Sequence, residues 1–221
     1  MKKLPLTLAA LSLATSTAFV STTAFAEVSA NVSATSNYLW RGLEQTSGDA
    51  AISGGIDYSA ESGFYAGTWV SNAWGGTELD LYGGYGADIN ESMSYDVGFI
   101  YYAYPDIDDV DFSEVYANFT FTGLTLGVAV LTSAEDYDAG DSIYASADYA
   151  LALSNGAEVG FHVGSYSGDA VDGWYGESAI DFGVSLSKDN FTFGVSKTDY
   201  EDGLNSDDMK FYVSYSVDIS L

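Results

Sequence analysis

Phe211-Tyr212-Val213-Ser214-Tyr215-Ser216-Val217-Asp218-Ile219-Ser220-Leu221 has an apolar or aromatic residue at every odd position, and its even positions are mostly Ser and Asp. Eleven residues of strict period two cannot sit on a helix, which would scatter the apolar set around its axis. The stretch reads as a β-strand with one greasy face and one polar face. Working backward along the chain, the same alternation recurs. Ile180, Phe182, Val184 and Leu186 oppose Asp181, Gly183, Ser185 and Ser187. Ala157, Val159, Phe161 and Val163 oppose Glu158, Gly160, His162 and Gly164, and Met93, Tyr95, Val97, Phe99 and Tyr101 oppose Ser94, Asp96 and Gly98.

The pattern predicts twelve strands, at 28–40, 50–59, 64–72, 77–87, 93–104, 112–121, 124–132, 142–153, 157–166, 178–187, 191–199 and 208–221. In the third, Phe64, Ala66 and Val70 compete with Tyr65 and Trp69 for the apolar face. Connections after even-numbered strands are tight, such as Thr122-Gly123 and Ser154-Asn155-Gly156, where Gly and Asn permit the positive φ of hairpin turns. Those after odd-numbered strands are mostly longer and acidic or Gly-rich, such as Ser133 to Asp141 and Ser167 to Glu177. Short turns alternating with long loops, an even strand count and strands of about ten residues describe an outer-membrane barrel. The expected fold class is therefore all-β: a transmembrane, antiparallel, up-and-down barrel of about twelve strands. A soluble β domain is the alternative, because a sandwich also alternates.

Charge placement supports the barrel. Arg41, Asp57, Glu78, Asp80, Asp96, Glu114, Asp148, Glu158, Asp181, Lys210 and Asp218 all fall on the polar phase of their strands, and His162 shares it. Only Lys197 falls on the apolar phase, near a strand end where a long side chain can snorkel. A basic charge facing mid-bilayer costs about 2–4 kcal/mol, so this segregation discriminates.

Composition narrows the function. The 221 residues carry 6 Lys+Arg against 32 Asp+Glu, a formal net charge of −26, so no nucleic-acid partner is expected. No cysteine is present, which excludes disulfides, zinc-thiolate sites and a lipidated-Cys anchor. Yet 18 Tyr, 12 Phe and 4 Trp are too many aromatics for a disordered acidic chain. Residues 1–26 have a basic start (Lys2, Lys3), an apolar run and Ala24-Phe25-Ala26, the plan of a cleaved signal peptide. Residues 27–221 then form the barrel domain.

Ser29-Ala30-Asn31-Val32-Ser33-Ala34-Thr35-Ser36-Asn37-Tyr38-Leu39-Trp40-Arg41-Gly42 resembles the N-terminal block of the TorF-family porins, bacterial outer-membrane proteins of largely undefined function. Ile52 to Tyr58, Gly63 to Asn72, Leu79 to Tyr85 and Asp111 to Tyr116 are similar to later blocks of that family; beyond about Leu131 only the alternation persists. The resemblance implies a porin and brings with it neither a solute nor a catalytic residue.

The polar phase is the expected lumen wall. A narrow passage lined by one sign of charge concentrates counter-ions, so cations or neutral solutes are expected to pass ahead of anions. The other reading is a plugged interior whose carboxylates are merely solvated and hydrogen-bonded. Arg41, the only arginine, is placed near the end of strand one and expected to pair with Asp80 or Asp57, as a wall-to-wall ion pair or a solute clamp. His162, the only histidine, reads as a lumenal hydrogen-bonding group. Three acidic runs occupy loops: Asp106 to Asp111, Glu135 to Asp141, and Asp199 to Asp208 with Glu201 and Asp202. Asp136-Tyr137-Asp138-Ala139-Gly140-Asp141 has the oxygen spacing of a calcium loop without its terminal Glu. Tyr38 and Trp40, Tyr101 and Tyr104, and Phe191 and Phe193 are expected in interfacial girdles, while Trp74 and Trp174 could stack a sugar. With no P-loop, metal cluster or triad, no enzyme, cofactor or metal is expected. The expected function is an integral outer-membrane porin for small solutes in contact with lipid and lipopolysaccharide, with oligomeric state left open. A non-conducting structural, adhesive or receptor barrel acting through its acidic loops is the alternative.

Overall fold

The computed structural model describes residues 27–200 and 207–221. Residues 1–26, expected as a signal peptide, and the loop acids Glu201 and Asp202 lie outside the described residues. In chain order the elements are β1 (Glu27–Thr35), β2 (Leu39–Trp40), β3 (Leu43–Glu44), β4 (Ala51–Ser59), β5 (Phe64–Ala73), β6 (Gly76–Asn90), β7 (Met93–Ala103), β8 (Phe112–Phe121), β9 (Leu124–Ala134), β10 (Ile143–Ala152), β11 (Glu158–Ser167), α1 (Asp169–Tyr175), β12 (Ala179–Lys188), β13 (Phe191–Thr198) and β14 (Lys210–Ser220). All strands but β2 and β3 form one closed antiparallel barrel of twelve, in which β1 pairs with both β4 and β14. Closure leaves no sheet edge, as a bilayer demands of any strand that crosses it.

Side-chain burial runs inside out. Along β12, Ile180, Phe182, Val184 and Leu186 are 41–51% exposed, while Asp181, Ser185 and Ser187 are 3–7% exposed. A water-soluble sheet would reverse this. On β5 the competition between faces resolves with Tyr65 and Trp69 inward and Phe64 and Val70 outward. Lys197 also points outward and sits 3.7 Å from Asp207 across the loop that follows β13.

Tyrosines and glycines fit together inside the wall. Tyr65, Tyr82, Tyr116 and Tyr212 lie directly across the ladder from Gly84, Gly67, Gly98 and Gly194, and each ring occupies the space a Cβ there would need. Tyr144 covers Gly164 in the same way, one step along the diagonal. A ring laid flat on a glycine keeps polar hydroxyls inside a narrow cylinder while the backbones stay close.

Strand one ends earlier than the alternation suggested. The chain leaves the wall after Thr35, and β2 and β3 form a separate two-stranded hairpin. Its residues Tyr38, Trp40 and Leu43 pack with the wall residues Ile100, Tyr102, Phe112, Leu131, Tyr144 and Tyr166 and with Ala170 and Val171 of α1. The long-loop end of the cylinder thus holds a packed apolar core. Tyr38 and Trp40 are buried in it rather than standing in an interfacial girdle, whereas Phe191 and Phe193 do face outward.

Candidate functional site

The hairpin turns on Arg41-Gly42, with φ of 51° and 77°, between Trp40 and Leu43, which pair across it. Two successive positive φ values suit a tight two-residue hairpin loop. Gly42 is required there by its surroundings as well. A Cβ at that position would stand 2.7 Å from the Cβ of Asp181 and 3.2 Å from that of Thr198, so the tip of the hairpin rests against β12 and β13. Further hydrogen bonds tie the segment down. Gln45 N–H donates to the Tyr38 carbonyl at 2.8 Å, Trp74 N–H donates to the Gln45 carbonyl, and Asn37 Nδ2 donates to Glu44 Oε1 at 2.8 Å.

Arg41 therefore lies at a turn inside the barrel, not on strand one, and its partner is Glu114, not Asp80 or Asp57. Its Nη1 and Nη2 donate to Glu114 Oε1 and Oε2 at 2.9 and 2.6 Å, a two-pronged pair whose side chains are 3% and 1% exposed. The guanidinium carbon sits 4.2 Å from the Trp40 ring centroid, 4.4 Å from Tyr144 and 4.6 Å from Tyr166. Burial by itself would lower the guanidinium pKa. The Glu114 carboxylate, Tyr166 and Tyr102 outweigh that and raise it, so the group stays charged at every working pH. Glu114 follows an irregularity: the β8–β9 register shifts between Ser113 and Glu114, the kind of defect that re-aims a side chain.

A second polar cluster spans β10, β11 and β12. His162 contacts Asp148 Oδ1 through Nδ1 at 2.6 Å and Asp181 Oδ1 through Nε2 at 2.8 Å; the Tyr144 hydroxyl lies 2.9 Å from that Nε2 and donates to Asp181 Oδ2 at 3.1 Å. Because Tyr144 also lies under Arg41, the two clusters share one wall.

Other charges are dispersed. Asp57 accepts from the Tyr82 hydroxyl at 2.5 Å and from Asn31 Nδ2 at 3.2 Å. Asp96 accepts from the Tyr65 hydroxyl at 2.8 Å. Glu78 accepts from the Tyr38 hydroxyl at 3.0 Å, and Asp80 is wholly buried two residues on. Lys210 is buried at the start of β14, Glu158 is half-buried at the tight-turn end, and Asp218 at that same end is exposed. The tyrosines that organise these carboxylates (Tyr38, Tyr65, Tyr82, Tyr144) were not singled out as site residues in the sequence. The available signal was that most of them occupy the polar phase.

The loop acids largely serve the loops. Asp111 accepts from Tyr104 N–H at 2.8 Å and from the Tyr101 hydroxyl at 2.5 Å, Asp106 from Thr77 N–H at 2.9 Å, and Asp141 from Asp138 N–H at 2.9 Å. Among the described residues, no group of three or more His, Asp or Glu side chains is arranged to hold a metal ion. Trp174 packs on Phe112 and Tyr137, while Trp74 is 56% exposed.

The barrel has known counterparts. The "KdgM porin" superposes with a TM-score of 0.55 at 12% identity, covering 88% of this chain and 99% of that one. A structure of "KdgM porin in complex with disordered oligogalacturonate" gives 0.54 at 11%, with the same coverage. The NanC porin gives 0.48 at 10%, covering 87% and 98%. At 11–12% identity the likeness to the KdgM porin shows the fold, that of a porin barrel. No curated protein matches in sequence. Residues 20–219 match the family described as "Bacterial protein of unknown function (Gcw_chp)", and the chain belongs to that family.

Proposed function

We propose that the chain is an integral outer-membrane channel for small solutes, passing cations and neutral molecules ahead of anions, with its long-loop end narrowed by the segment 36–50. The observation that carries this reading is the inside-out wall, greasy outside and lined with hydrogen-bonded polar groups inside, in the fold of the KdgM porin. The resemblance of residues 29–42 to TorF-family porins points the same way. Charge supports the preference. The inward-facing residues include Asp57 and Asp96, and Asp148 and Asp181, which share the single His162, while the one arginine is neutralised by Glu114. An oligogalacturonate, the ligand named for KdgM, is a polyanion, and such an interior would repel it.

Planar-bilayer recording on the refolded protein under a salt gradient tests the proposal. The expected result is discrete conductance with a reversal potential on the cation side. A reversal potential on the anion side would refute the selectivity, and a silent, correctly folded barrel would refute the channel. One observation favours that second outcome: hairpin, α1 and wall rings pack into a continuous core at one end. The non-conducting barrel acting through its loops is therefore the competing reading.

A further inference from the structure

We propose that Glu78 and Asp80 form a binding site for a hard divalent cation of the calcium type, set between the wall and the inserted hairpin. The two carboxylates alternate on β6, so both point inward, and they are 1% and 0% exposed. The tight turn Trp74-Gly75 precedes β6, placing the pair near the long-loop end.

Asp80, and one oxygen of Glu78, differ in hydrogen bonding from the other inward acids. Asp57, Asp96, Glu114, Asp148 and Asp181 each accept a bond from a tyrosine or contact arginine or histidine. Neither oxygen of Asp80 has a hydrogen-bond partner, and neither does Oε2 of Glu78. The residues directly across the ladder from Asp80 are Trp69 and Tyr102, rings rather than bases. Arg41 commits both terminal nitrogens to Glu114. Three buried acceptor oxygens without a hydrogen-bond partner lie on two carboxylates two residues apart, with the Tyr38 and Tyr104 hydroxyls serving Glu78, and as anions they are strongly unfavourable unless a proton or a cation meets them.

The chemistry of these atoms narrows the occupant. Ionised carboxylates have acceptors only, so a ligand that needs no acceptor suits them. An all-oxygen set selects a hard cation over zinc or copper, and two carboxylates match a double charge. An irregular set drawn from one strand suits calcium, which tolerates variable geometry, better than magnesium, which demands an octahedron. The Tyr38 hydroxyl, 3.0 Å from Glu78 Oε1, brings the hairpin to the edge of the site, so a bound ion would fasten hairpin to wall. This goes beyond the channel reading and does not depend on whether the lumen conducts.

Terbium, a luminescent stand-in for calcium that nearby Tyr and Trp rings sensitise, provides the test on the refolded full chain in detergent micelles. The expected result is saturable emission at one ion per chain, displaced by calcium. It should weaken tenfold or more in Asp80→Asn and in Glu78→Gln and remain unchanged in the loop variant Asp136→Asn. Folding of each variant is checked by heat-modifiable gel migration, and Glu78→Gln carries the test if Asp80→Asn fails to fold. Emission that survives both wall substitutions, emission lost with the loop substitution, or no calcium-displaceable emission in the unaltered chain would each overturn the proposal. In the last case the pair is protonated.

Discussion

Arg41 ties the inserted hairpin to the barrel wall. It is held by two hydrogen bonds and three aromatic faces, in a backbone conformation with φ of 51° that a non-glycine residue adopts only at some cost. Removing one partner of such a buried pair strands the other charge, a loss of about 3–5 kcal/mol, whereas replacing both with apolar groups is often neutral. Arg41→Leu should therefore lower the thermal midpoint in detergent markedly, and Arg41→Leu combined with Glu114→Leu should recover most of it. A double variant no more stable than the single one would show that the pair is not what holds the hairpin. The alternation in the sequence marked Arg41 as polar-facing, but its partner was not legible. Ion pairing across a barrel depends on where a turn points, and nothing in the spacing of Arg41 to Glu114, 73 residues apart, encodes that.

At the scale of elements, the wall and the hairpin differ in legibility for a physical reason. Wall strands announce themselves because one face meets lipid and the other does not, and the period of two is imposed on every residue between turns. The hairpin inserts into the protein interior, where Tyr38, Trp40 and Leu43 follow packing rather than that rule. Tyr38 and Trp40 happen to continue the outward phase of Val32 and Ala34, so strand one read on through Ser36-Asn37, which is where the chain turns in. Replacing residues 38–46 by a short Gly-Ser linker should leave the twelve-stranded wall intact by heat-modifiable migration and increase single-channel conductance. An unchanged conductance would mean that the narrowest point lies elsewhere.

For the molecule as a whole, stability rests on the mismatch between its two surfaces. Val184 faces outward on β12, flanked by the inward residues Gly183 and Ser185. Val184→Lys should cost about 2–4 kcal/mol in a bilayer and lower the denaturant midpoint, whereas Ser187→Thr, inside the wall near the tight-turn end, should change it far less. Equal effects would argue against a lipid-facing band. The closing ladder between β1 and β14 carries its own implication. The first strand of the cylinder must wait for the last one made before its hydrogen bonds are complete, and until then two raw edges are open to any passing chain. Assembly is thus gated by the arrival of the C-terminal segment.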